Sequence, residues 1–90
     1  MAVVGMDIAQ VREFAALCDK KAGEIDTLIS DISNKLQNTQ WVGQDAQTFR
    51  SDWSGQATNQ LKAVAQLLRD TKTTANNNAN AQEDTSNKLT

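Results

Sequence analysis

Apolar residues recur in the first half of the chain with a period that predicts a long α-helix. Their spacings alternate between four and three residues, close to the coiled-coil repeat and unlike the two-residue period of a strand. This seam comprises Val11, Ala15, Cys18, Ala22, Ile25, Ile29, Ile32 and Leu36. Asp7 is a suitable N-cap, and Gln10 is placed to complete a capping box. We therefore predict helix 1 over about residues 7–37.

Larger apolar residues widen the seam on one flank. They are Ile8, Phe14, Leu17 and Leu28. A stripe this wide indicates that more than one neighbouring helix packs against helix 1. The opposite side carries Arg12, Glu13, Asp19, Lys20, Asp26 and Lys35. We interpret these charged residues as the solvated face of the helix.

The pattern breaks after Leu36, where Asn38 can end a helix, and it resumes beyond residue 44. The second set of seam positions is Ala46, Phe49, Trp53, Ala57, Gln60 or Leu61, Val64, and Leu67 or Leu68. We predict a turn over 38–44 and helix 2 over about 45–75. Because short connections normally join antiparallel neighbours, the predicted fold is all-α, a single-domain antiparallel helix–turn–helix hairpin.

Beyond Arg69 the composition shifts towards Asn and Thr, which are poor helix formers. A helical continuation is one alternative for this segment, but we expect fraying or disorder somewhere between residue 75 and the end of the chain. This polar tail would be either a solvated extension or an exposed recognition segment.

The amino-acid composition excludes most catalytic mechanisms that depend on particular side chains. The 90 residues include no histidine and no tyrosine, and the one cysteine, Cys18, excludes an intrachain disulfide. No glycine-rich phosphate loop is visible. We predict a non-enzymatic protein with no cofactor and no metal site. Cys18 is expected to be a small buried apolar residue.

Charge and hydropathy argue against two further classes of partner. The net charge is −2, and the basic residues are scattered, so we predict no nucleic-acid binding. No apolar run approaches the roughly 20 residues of a membrane span, and the N-terminus lacks a signal-peptide pattern. We therefore predict no direct membrane insertion and no cleaved signal peptide.

The tripeptide Trp41-Val42-Gly43 lies at the middle of the chain, and Ala46, Phe49 and Trp53 follow it at helical spacing. Glycine permits the backbone geometry of a tight reversal, and tryptophan can cover the end of a hairpin. With this chain length, a patterned helix on each side and a polar C-terminal end, the sequence resembles the WXG family of early-secretory-antigen-like proteins, the small substrates of type VII secretion.

The resemblance implies a hairpin that dimerises with itself or with a sister protein into a four-helix bundle. It implies export in folded form, without a cleaved signal peptide, by a membrane machine with a cytosolic ATPase. Trp41 and Gly43 would form the turn that this machine reads. The helix-packing and dimer core would comprise Val11, Phe14, Cys18, Ile25, Ile29, Ile32, Leu36, Phe49, Trp53, Leu61, Val64 and Leu68. The alternatives are an adaptor that delivers a larger helical cargo and a cytosolic structural coiled coil.

The C-terminal end departs from the family pattern. Many exported members, or their dimer partners, carry a signal of Tyr, three residues, then Asp or Glu. Here Ala81 lies about where the tyrosine would fall. The resemblance then implies that a partner supplies the signal, that a variant signal is used, or that this chain is not exported alone.

Overall fold

The computed structural model describes residues 5–89, with side chains up to residue 85, as a helical hairpin. Helix α1 spans Ile8–Gln37, and a loop of residues 38–43 follows. Helix α2 spans Gln44–Asp52, a π-helical turn spans Trp53–Ala57, and helix α3 spans Thr58–Leu89. The described residues contain no strand, so the predicted all-α hairpin is confirmed.

Side-chain hydrogen bonds from flanking residues cap both ends of α1, at the predicted positions Asp7 and Asn38. Oδ1 of Asp7 accepts a hydrogen bond from the backbone N–H of Gln10 at 3.0 Å. At the other end, Nδ2 of Asn38 donates to the carbonyl oxygen of Asn34 at 2.9 Å. The first bond satisfies a backbone N–H that has no partner within the helix, and the second adds to the bond of 3.1 Å that the backbone N–H of Asn38 makes to the same carbonyl.

The hairpin is a thin rod with a core of small residues. Its radius of gyration is 19.9 Å, whereas a compact domain of this length would have about 12 Å. The buried residues are Ala15, Cys18, Ala22, Ala46, Ala65 and Ala79. No large side chain is fully buried in the described part of the chain. Because alanine leaves little space between helices, α1 and α3 pack closely, and Cys18 is buried as expected.

The second helix differs from the prediction in two respects. The π turn divides it after Asp52, and it continues to Leu89 rather than ending near residue 75. Its Asn-rich part lies against the first half of α1, where Ala79 is fully buried. Packing against α1 therefore outweighs the low helix propensity of this segment. The predicted disorder is wrong as far as Leu89, and Thr90 lies outside the described residues.

Three ion pairs join the two long helices along one flank of the hairpin. This ion-pair ladder links Arg12 to Glu83, Asp19 to Lys72, and Asp26 to Arg69. The first two pairs span 3.1 and 3.5 Å between nitrogen and oxygen. Arg12, Asp19 and Asp26 recur every seven residues, so they share one side of α1. Their side chains remain 38–55% exposed, as expected of a solvated face, and they also form ion pairs with α3 that the sequence did not predict.

Candidate functional site

Three aromatic rings form a row at the closed end of the hairpin, here called the aromatic tip. The ring centroids of Trp41 and Phe49 are 6.3 Å apart, and those of Phe49 and Trp53 are 6.2 Å apart. The second pair is stacked, with 11° between the ring planes. Trp41 remains 42% exposed, and its neighbour Val42 is 85% exposed. The tip therefore presents apolar surface to solvent while its rings support one another.

The loop that carries Trp41 is held by Arg50. The guanidinium of Arg50 donates to the carbonyl oxygen of Trp41 at 2.8 Å and to that of Thr39 at 3.3 Å. Gly43 then turns the chain into α2 with a φ of +116°, a conformation that L side chains rarely adopt. The predicted turn residues Trp41 and Gly43 thus lie in a loop whose path is fixed from α2.

Trp53 ties the closed end to α1. Its indole Nε1 donates to Oγ of Ser33 at 2.9 Å. Trp53 also begins the π turn, in which the backbone N–H of Thr58 bonds to the Trp53 carbonyl, one residue farther back than in an α-helix. The hydroxyl of Thr58 is buried without a hydrogen-bond partner. Contacts with Ser33 and Phe49 offset the cost of this irregular turn.

Large apolar side chains lie exposed along the rod and form a second candidate surface, here called the apolar face. On α1 it comprises Phe14, Leu17, Leu28 and Ile32, and on α3 it comprises Val64 and Leu67. Phe14 is 53% exposed and Leu67 is 62% exposed. Exposed side chains of this size mark an interaction site when they lie side by side.

Helical geometry places both stripes of the apolar face on one side of the hairpin. Leu28 follows Asp19 by nine residues, or two and a half turns, so it points away from the ion-pair ladder. On α3, Leu67 lies two positions before Arg69 and also points away from the ladder. Since the ladder occupies one flank of both helices, the apolar side chains share the opposite flank.

The predicted core residues fall into three groups. Cys18 is buried between the helices. The half-buried members are Val11, Ile25, Ile29, Leu36, Trp53, Leu61 and Leu68. The exposed members are Phe14, Ile32, Phe49 and Val64. The single hairpin therefore buries the small members of the seam, and it leaves several of the largest in solvent.

Sequence reasoning missed Ser33 and Arg50. Ser33 could have been found as a polar residue four positions after Ile29, next to the buried stripe of α1. Arg50 gave no signal in the sequence, because its role depends on where the loop carbonyls of Thr39 and Trp41 lie.

The Arg12–Glu83 pair makes part of the stability depend on pH. A side-chain hydrogen bond from Arg12 holds the pKa of Glu83 below its ordinary value. Because the pKa of Glu83 is lower in the folded than in the unfolded chain, where it is about 4.3, the ionised carboxylate stabilises the fold above that pH. This contribution is lost as the pH falls through the folded-state pKa of Glu83.

We expect Glu83→Gln to lower the melting temperature at pH 7 and to have no effect at pH values where Glu83 is protonated. Thermal melts followed by circular dichroism at pH 7, 5, 4 and 3 measure the difference. The control is Glu13→Gln, because Glu13 forms no ion pair with any described side chain. A wild-type-to-variant difference that stays constant across this range would contradict the role of the ion pair.

Comparisons of the chain with protein-family models, curated proteins and solved structures find no match. Within the described residues, no helix is long and apolar enough to cross a membrane.

Proposed function

We propose that this chain is a small, non-catalytic docking protein that pairs with a second helical hairpin and is exported in folded form by type VII secretion. The observation that carries the proposal is the division of apolar residues between core and surface. Alanines fill the space between α1 and α3, while Phe14, Leu28 and Leu67 lie in solvent. A partner hairpin on the apolar face would bury the exposed half of each of these side chains, which is worth about 1 kcal/mol per residue.

The aromatic tip supports the secretion part of the proposal. The WXG tripeptide carries the exposed Trp41, and Arg50 holds the loop around it in place. An apolar surface with a fixed loop conformation at one end of a rod is a suitable recognition site for an ATPase that binds folded cargo. Little conformational entropy of the loop would be lost on binding. The tip and the apolar face are separate surfaces, so a paired hairpin would keep its tip accessible.

The first experiment measures export in the native host. The tagged protein is expressed with and without the type VII motor ATPase, and culture filtrate is compared with cytosol alongside a lysis marker. Filtrate signal that disappears without the motor supports the proposal. Protein that stays in the cytosol of both strains contradicts export, and capture of a long helical cargo would then favour the adaptor function that the 68 Å length of the rod allows.

We expect Trp41→Ala to keep the helical content and to lose most of the export signal. Trp41 is exposed and contributes only its carbonyl to the Arg50 contact, so the loop should keep its path without the ring. Gln40→Ala is the matched control, because Gln40 is an exposed polar residue beside Trp41 in the same loop and belongs to neither aromatic pair. Circular dichroism and filtrate blots of both variants measure the effect, and unaltered export of Trp41→Ala would contradict recognition of the tip.

A further inference from the structure

A groove lies at the closed end of the hairpin, between the last turns of α1 and the π turn, and is here called the end groove. Its volume is about 440 Å³, within the range of about 300–1,000 Å³ that is typical of small-molecule sites. Leu36 and Trp53, both half-buried, form its apolar wall. The end groove therefore has the size and the apolar surface to hold a small organic molecule.

The polar residues of the end groove include one cation and no carboxylate. The guanidinium of Arg50 contributes the charge, and the neutral groups belong to Ser33, Gln37, Ser54 and Thr58. In the part of the chain that the structure describes, Arg50 forms no ion pair. A half-buried guanidinium without a carboxylate beside it leaves the groove with an excess of positive charge. An anion is the complementary ligand.

Hydrogen bonds hold the guanidinium of Arg50 in place without neutralising it. Both of its acceptors, the backbone carbonyl oxygens of Trp41 and Thr39, carry no formal charge. Arginine has five N–H donors, so three are left for another acceptor. Because the side chain is already fixed, little of its conformational entropy would be lost when it binds a carboxylate.

The irregular part of the second helix forms one side of the end groove. Trp53 and Ser54 belong to the π turn, and Thr58 follows it directly. Turns of this kind are frequent at functional sites. The hydroxyl of Thr58 is buried without a hydrogen-bond partner, which is a second local cost to stability. Two features that lower stability thus coincide with the groove that contains the unpaired cation.

We infer that the end groove binds a small organic acid, whose carboxylate pairs with Arg50 and whose apolar body lies against Trp53 and Leu36. The cation requires an anionic group, and the apolar wall requires a hydrophobic body, so a bare inorganic anion matches only half of the groove. The inference does not depend on a partner at the apolar face or on export. It can therefore fail while the proposed function stands.

A titration with two probes of the same shape tests the charge requirement. The probe is 4-phenylbutanoate, and the control is its neutral amide, 4-phenylbutanamide. Two-dimensional ¹⁵N–¹H NMR follows the indole N–H of Trp53, which donates to Ser33, and the backbone amides of Ser54 and Thr58. We expect saturable shifts of these signals with a Kd of about 1 mM for the acid. The amide should bind at least tenfold more weakly, because it cannot pair with Arg50.

Gln37→Glu tests the site. Gln37 is exposed and lines the groove, so glutamate of nearly the same size would place a competing carboxylate inside it. We expect this variant to bind the acid at least tenfold more weakly than wild type. Gln47→Glu is the matched control, because it makes the same change at an exposed position of α2 outside the groove, and it should bind like wild type. Circular dichroism checks that both variants are folded.

Three results would overturn the inference: no saturable shift of the groove signals, equal affinity for the acid and the amide, or wild-type affinity of Gln37→Glu. A dilution series without any probe distinguishes the source of the carboxylate. If the same signals shift as the protein alone is concentrated, the carboxylate comes from another chain, and a free organic acid is not the ligand.

Discussion

Ala22→Leu should lower the stability of the hairpin more than the same substitution at exposed alanines. Ala22 has no exposed surface, because α3 covers it directly. The three additional carbons of leucine have no space there and would push the two helices apart. Overpacking of this kind costs about 1–3 kcal/mol. For a domain of this size, 1 kcal/mol corresponds to about 4–8 °C in melting temperature.

Ala16→Leu is the matched control, because Ala16 is exposed on the same helix and both residues favour helix. Thermal melts of the two variants at equal protein concentration measure the difference. We expect Ala22→Leu to melt about 5–15 °C below Ala16→Leu. Equal melting temperatures would mean that α1 and α3 are not closely packed at Ala22.

Trp53→Ala should destabilise the hairpin by a similar amount, about 2–3 kcal/mol, because this half-buried side chain makes several contacts at once. It stacks on Phe49 and donates its indole N–H to Ser33. Alanine would keep neither contact, and the π turn would lose the interactions that hold it against α1. We therefore expect α2 and the aromatic tip to detach from the end of α1 before the rest of the hairpin unfolds.

Two further variants separate the contribution of the Ser33 hydrogen bond from that of the aromatic contacts. Trp53→Phe keeps an aromatic ring beside Phe49 and removes the hydrogen bond to Ser33, which should cost about 1 kcal/mol. Trp41→Ala removes an exposed ring and should cost less than Trp53→Ala. Urea denaturation measures the free energy of unfolding, and hydrogen exchange locates the opening. A Trp53→Phe variant with the free energy of unfolding of wild type would show that the Ser33 hydrogen bond contributes nothing to stability.

The parts of the fold that could be predicted depend on neighbours in the sequence. The α1 seam, its Asp7 cap and its end at Asn38 all follow from residues within four positions of one another. The same local pattern places Trp41 and Gly43 in the turn. Helical periodicity also predicts more than one neighbour for helix 1, and this stays a prediction, because the single hairpin leaves Phe14 and Leu28 exposed.

The features that escaped prediction depend on contacts between distant residues. Helix propensity alone suggested an end near residue 75, whereas the burial of Ala79 and the contacts of Arg12 with Asn80 and Glu83 join residues nearly 70 positions apart. The length of α1 was a usable signal, because a 30-residue helix in an antiparallel hairpin requires a partner of similar length. The π turn and the role of Arg50 had no local signature.

The π turn also determines where a single residue can be deleted without rotating the rest of the second helix. The turn holds one residue more than the same stretch of α-helix would need. Loss of Gly55 could therefore join α2 and α3 into one continuous helix whose two ends keep their present faces. A one-residue deletion within α3 would instead rotate everything beyond it by about 100° and misalign the ion-pair ladder. Single-residue insertions and deletions in the second helix should accordingly be tolerated best at residues 53–57.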